Sequence, residues 1–440
     1  MIRNTTRVKS VRASAALASF IFIVALGSSS LGQTVPVYNS LPGANAKLFL
    51  DFDGVDFGTT AWGSDGQQPG LRPAYSIDGN TSSFSSTELS NIYEIWSRVA
   101  EAYSPFNINV TTVNPGNYNR QESAHVVISG DNSWYSSSAG GVAKGDGFAS
   151  FTTPAMVRRT SWVFPGNLNN GLPKTVADAA IHEAGHMFGL DHQPTFNSSG
   201  SITQEYDTGN SLRAPNMGVA YSSQRGLWAI GPDNAGSANI DTNEFSVLNS
   251  TGLFGNNFGL IPDEVGTTIV TAPQINLSST KIRGVIGNNV VGLASNDIDY
   301  YRLNLSTQSQ VSINIDVAEF GPLLDTKLTL LDSLGSTFYT DDPPLTTSPI
   351  SRAGLQSSFS GLLGAGTYYL GITSHGGFTY SLGTGASDRF LQDTGQYFIT
   401  GLIVAVPEPQ SIALCGIGLV ALISIRWRRG RYLTSKKVAP

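Results

Sequence analysis

Apolar residues recur every three or four positions in only a few stretches of this chain and fall into short runs elsewhere. Leu89, Ile92, Ile95, Trp96 and Val99 keep the helical spacing across residues 86–103. Ser86 is placed to cap that helix and Pro105 to stop it. Val176, Ala179, Ala180 and Met187 supply the buried side of a second helix, which starts near Pro173, where a first-turn proline is well tolerated. Strands are predicted at residues 48–52, 107–113, 125–129, 140–151 and 160–164, and a last helix at 241–248. Beyond residue 257 the helical spacing fades. Runs at 300–305, 311–317, 328–331 and 368–372, punctuated by turn residues, predict an all-β region. The pattern divides the body into an α+β domain over residues 33–256 and a β-sandwich over residues 257–404.

Two apolar runs flank that body. Arg3, Arg7, Lys9 and Arg12 precede the first, at residues 13–26, and Ser30-Leu31-Gly32 follows it. This order of basic start, apolar run and small residues predicts a secretory signal over residues 1–32, with the mature chain beginning at Gln33. The second run, residues 412–425, follows Val406-Pro407-Glu408-Pro409 and precedes Arg426, Arg428, Arg429 and Arg431. Both runs are short for a permanent transmembrane helix.

Composition narrows the class. Only 13% of the 440 residues are charged and the net charge is −6, with no basic stripe in the body, so no nucleic acid partner is expected. The single cysteine, Cys415, lies in the second apolar run. The body therefore has no disulfide, no thiol nucleophile and no thiolate metal ligand.

The candidate chemistry lies in HEAGHMFGLDH. His182 and His186 stand four apart, so on a helix both imidazoles leave from one face. Gly189 can take the left-handed conformation that reverses the chain and returns His192 as a third ligand. Three protein ligands leave one tetrahedral corner to water, the arrangement of a catalytic zinc, and Glu183 is placed to take that water's proton. A surface helix with satisfied histidines is the plainer alternative. It fits poorly, because three of the chain's five histidines fall within these eleven residues. His125, at the start of a strand, reads as structural. Asp51, Asp53 and Asp56 read as a strand-end turn rather than a calcium loop.

This motif, with Met217 and Tyr221 in APNMGVAYSS, resembles the metzincin clan of zinc metallopeptidases. The resemblance implies a twisted mixed sheet with an active-site helix, and Met217 as an apolar floor under the metal. It also implies an edge strand, assigned here to residues 141–150, that pairs with an extended protein or peptide substrate. In families where a tyrosine assists, it follows the methionine by two residues, whereas Tyr221 follows by four. Asn296-Asp297-Ile298-Asp299-Tyr300-Tyr301 and Gly366-Thr367-Tyr368-Tyr369-Leu370 resemble the bacterial pre-peptidase C-terminal domain, a jelly-roll-like sandwich that binds Ca2+ in some members. Asp297, Asp299, Asp325, Asp341 and Asp342 are the candidate calcium ligands, with solvated acidic turns as the alternative. The tail over residues 405–440 resembles a PEP-CTERM sorting signal, implying an exosortase-like processing enzyme, transient inner-membrane anchoring and delivery to the bacterial surface or extracellular matrix. Together these imply a secreted zinc endopeptidase. The alternative is a matrix or surface binding protein that keeps the zinc site without hydrolysis, or processes only itself.

Overall fold

The computed structural model describes residues 34–407, apart from 64, 264, 278–280, 290–292 and 346–351. The expected secretory signal and the tail from residue 408 lie outside the described residues. Among those described, no helix is long and apolar enough to cross a membrane. The chain is mostly β-sheet with few helices.

The first sheet is built from β1 (Ala46–Asp51), β2 (Ile108–Thr111), β3 (Ser123–Ile128), β4 (Gly141–Val142) and β5 (Thr160–Val163). Their order is β2-β1-β3-β5-β4. All neighbours run parallel except β4, which pairs antiparallel with β5 at the edge. The parallel strands are buried almost throughout, as strands covered on both faces must be. Helix α1 (Ser86–Ala102) turns Ile92, Ile95 and Val99 into the core. Its cap is Ser85, not Ser86: the Ser85 hydroxyl accepts from the backbone N–H of Glu88, and the Glu88 carboxylate accepts from the Ser85 backbone N–H. Helix α2 (Pro173–Met187) packs beside α1, and the Tyr103 hydroxyl donates to the Ile181 carbonyl at 3.2 Å.

Two expected elements are shortened. The strand predicted at residues 140–151 is only the two residues of β4. Beyond it the chain leaves the sheet because the N–H groups of Asp146 and Phe148 donate to the carbonyls of His186 and Met187, at 3.0 and 2.9 Å. Carbonyls at a helix end need such partners. Likewise the helix predicted at 241–248 is only α3 (Glu244–Leu248). Residues before it form β8 (Asp241–Asn243), which pairs antiparallel with β7 (Arg225–Pro232), and β6 (Arg213–Pro215) pairs parallel with β7.

The later chain forms two antiparallel four-stranded sheets. One has β9 (Ile282–Ile286), β11 (Ser309–Val317), β14 (Ser357–Leu363) and β18 (Gly395–Ala405), in the order β9-β18-β11-β14. The other has β10 (Ile298–Leu305), β12 (Thr326–Leu331), β13 (Thr337–Asp341) and β15 (Gly366–Ser374), in the order β10-β15-β12-β13. Burial alternates along β10 and β11, and the inward residues of both sheets share one core, including Leu303, Ile313, Leu328, Ile372 and Ile399.

Strand pairing crosses residue 256. Strand β17 (Arg389–Gln392), paired with β16 (Phe378–Tyr380), adds to β7, matching Ala229 with Leu391. Arg225 of β7 is fully buried against Asp393, at 2.7 Å.

Candidate metal centre

Helix α2 carries His182, Glu183 and His186 and ends at Met187. Gly189 follows at φ +92°, a conformation that side chains with a Cβ rarely adopt, and the turn it makes brings His192 back toward the helix. The three ring centroids lie 4.7, 4.8 and 5.2 Å apart. One nitrogen from each ring lies within 4.8 Å of the other two, and the Nε2 atoms of His186 and His192 are 3.0 Å apart.

Each Nδ1 has its own oxygen partner. For His182 it is the Asn216 carbonyl at 3.0 Å, for His186 the Leu190 carbonyl at 2.7 Å, and for His192 the Glu205 carboxylate at 2.8 Å. A carbonyl or carboxylate at Nδ1 makes that nitrogen the donor, which leaves the Nε2 lone pair to a metal. Burial holds His182 well below the ordinary imidazole range, aided by His186 and His192, and brings His186 to about 4. Burial also lowers His192, against the pull of Glu205. The set is therefore neutral near pH 7 and suited to a borderline cation such as zinc, which binds three imidazole nitrogens with a solvent corner left over.

Glu183 is buried, and burial raises its pKa to about 8. Its carboxylate lies against the edge strand: a Cβ on Gly141 would stand 2.6 Å from its Oε1. A cleft of about 260 Å³ opens here, lined by Gly140, His182, Glu183, Tyr206, Asn216 and Tyr221 among others. Met217 is fully buried, with its sulfur against the α2 backbone at Gly185. Its carbonyl accepts from the Gln193 N–H at 2.9 Å, and Gly218 N–H closes a turn onto Pro215 at 3.0 Å. Tyr221 lines the same cleft, its pKa raised by burial and then by Glu183.

The structure also brings in a group not predicted from the sequence. Tyr206 places its ring, tilted by about half a right angle, with its centroid 4.4 Å from that of His192 and 5.9 Å from that of His182. Burial, then Glu205 and Glu183, raise its pKa to about 12. In the sequence it is one aromatic residue in a largely polar loop that also holds Phe196 and Ile202, so nothing singles it out. His125 lies elsewhere, bonded to Asp51 at 2.9 Å and Thr160 at 3.1 Å in the first sheet. Asp51 and Asp56 accept from the N–H groups of Gly54 and Gly58 as turn residues do.

The five acidic residues considered for calcium do not assemble as a set. Asp297 and Asp299 are joined by Asp263, with carboxylate oxygens within 4.8 Å of one another. Among the described residues the Oδ1 atoms of Asp297 and Asp299 are buried without a hydrogen-bond partner. Asp325 instead faces Arg213 at 3.8 Å and Arg225 at 3.9 Å. Asp341 accepts from the Ser358 N–H at 2.6 Å, and Asp342 pairs with His375 at 2.9 Å. A cavity of about 350 Å³, larger than the histidine cleft, adjoins Asp263 and Asp299 and is lined further by Tyr103, Ile261 and Arg283. It contains none of the three clustered histidines.

No family model and no curated protein matches the chain. Among solved structures, the pre-peptidase C-terminal domain of a collagenase from Bacillus anthracis matches 30% of this chain and 94% of that domain, at 16% identity and a TM-score of 0.19.

Proposed function

We propose that this chain is a metal-dependent hydrolase. More particularly, we read it as a secreted zinc endopeptidase of metzincin type, with a β-sandwich accessory region. The observation that carries this reading is the separate oxygen partner at each histidine Nδ1, which leaves the Nε2 lone pairs free in a cluster whose ring nitrogens lie within 4.8 Å of one another, in a cleft that Glu183 also lines. Bound zinc supplies Lewis acidity toward a carbonyl oxygen and toward water. His182, His186 and His192 hold it as neutral ligands. Glu183 takes the proton from the attacking water and delivers it to the leaving amine. With zinc held in the cleft it lines, Glu183 would bind its proton less tightly than burial alone dictates, which would leave the ionised base available near neutrality. Tyr206 and Tyr221 line the same cleft as Glu183, and their hydroxyls would serve as donors to the developing oxyanion. The edge strand β4 offers backbone groups to an extended peptide substrate.

The basic-apolar start and the Pro-Glu-Pro tail support export and sorting to the bacterial surface or extracellular matrix, with an exosortase-like enzyme acting on the tail. Asp263, Asp297 and Asp299 support Ca2+ as a second ion, since two buried carboxylate oxygens there have no other partner among the described residues. A non-catalytic or self-processing binding protein is the rival. Peptide-library cleavage by the purified mature protein, with and without a zinc chelator, decides between them. Chelator-sensitive cleavage that Glu183→Gln abolishes while zinc is retained supports the hydrolase, and zinc-loaded protein that cuts no peptide sinks it.

A further inference from the structure

The wall of the cleft opposite α2 is held from far along the chain. Arg389, the first residue of β17, is fully buried, and its Nη1 donates to the Asp207 carboxylate. Its Nη2 donates to two carbonyls, Pro194 at 3.0 Å and Pro232 at 2.9 Å. Tyr380, opposite Arg389 on β16, donates its hydroxyl to the same Asp207 oxygen at 2.6 Å. The other Asp207 oxygen accepts from the Gly209 N–H at 2.8 Å.

Each of these contacts is one step from the candidate ligands. Pro194 lies two residues after His192. Pro232 lies two residues before Asn234, whose N–H donates to the His192 carbonyl at 3.0 Å. Asp207 follows Glu205 and Tyr206, the groups on Nδ1 and on the ring of His192. Its own N–H donates to the Gln193 carbonyl at 2.7 Å, and its carbonyl accepts from Val219, just past Met217, at 2.9 Å. One guanidinium thus ties both segments that flank His192 to the loop that covers it. A planar fork with several fixed donors suits this task, and a lysine ammonium does not reproduce it.

We propose that Arg389 is a positioning residue of the metal centre: acting through Asp207, Pro194 and Pro232, it fixes His192, Glu205 and Tyr206, so the cleft is completed only by the strand pair β16–β17. This rests on the metal-dependent reading of the site. The test measures zinc affinity in the full mature chain by competition with a chelator, well below the melting temperature, beside circular dichroism and peptide cleavage. Arg389→Met is expected to weaken zinc binding about tenfold, as loss of outer-shell support does, while wild-type circular dichroism persists. Arg389→Lys restores only part of the affinity. Should Arg389→Met fail to fold, Tyr380→Phe, which removes one hydrogen bond to Asp207, carries the test with a smaller loss. Folded variants that bind zinc within twofold of wild type overturn the proposal, even if they melt earlier. Wild-type protein that binds zinc and cleaves nothing overturns only the hydrolase reading, because the affinity series still reports on Arg389. Wild-type protein that binds no zinc overturns both.

Discussion

The imidazoles of His182, His186 and His192 differ in how firmly they are held. Two lean on backbone carbonyls, whereas His192 leans on Glu205, a side chain largely exposed to solvent. Glu205→Gln should therefore weaken zinc retention about tenfold and leave the helix intact, as metal analysis after dialysis would register. Equal retention by the variant would mean that His192 needs no support from Glu205. The buried Glu101 makes a different prediction. Its carboxylate accepts from the Gln396 backbone N–H at 3.2 Å and side-chain N–H at 2.9 Å, but burial dominates and raises its pKa to about 7. The folded chain thus binds this proton more tightly than the unfolded chain does. That contribution to stability is complete below the ordinary carboxyl pKa and is lost as pH rises to about 7. Melting curves of the wild type should fall more steeply over that window than those of Glu101→Gln; parallel curves would count against it. The three histidines and Glu183 could be read from spacing alone, because one helix turn and one glycine bring them together. Tyr206, Asp207 and Asp263 could not, because the fold that carries them to their partners leaves no periodic trace.

Among the elements, β4 shows how a short segment can matter through what it lacks. Gly141 leaves room for the Glu183 carboxylate, and a methyl group there would stand 2.6 Å from it. Gly141→Ala should keep zinc and lower turnover by about a hundredfold, since small misplacements of a catalytic group are costly. Steady-state kinetics beside metal analysis would check this, and unchanged kcat would remove Glu183 from the edge strand's influence. At α1 the helical spacing matches the observed helix, while the cap falls on Ser85, one residue before the expected Ser86. Adjacent serines offer the same side chain, and only Ser85 has the extended backbone that lets its hydroxyl reach Glu88. Ser85→Ala should cost about 1 kcal/mol in chemical denaturation. The strand expected at 140–151 failed for a different reason. The N–H groups of its Asp146 and Phe148 are used to close the end of α2, a demand that hydropathy does not register.

At the scale of the whole molecule, short apolar runs punctuated by turn residues predict the β-rich later half, and the two four-stranded sheets accord with it. It gave no sign that β17 would join β7, since pairing between distant strands is set by geometry rather than by pattern. A fragment spanning residues 34–256 should consequently fail as an independent unit. It leaves one edge of β7 unpaired and Arg225 without Asp393, and a buried charge deprived of its partner is strongly destabilising. Size-exclusion chromatography and circular dichroism of that fragment would report aggregation or loss of cooperative melting. A monomer melting like the full chain would refute the expectation.

The pairing of Trp228 with Gln392 spans most of the later half of the chain. A polypeptide delivered amino end first has its histidines long before it has that partner. Synthesis thereby imposes a delay of its own, in which β7 waits for its partner strand.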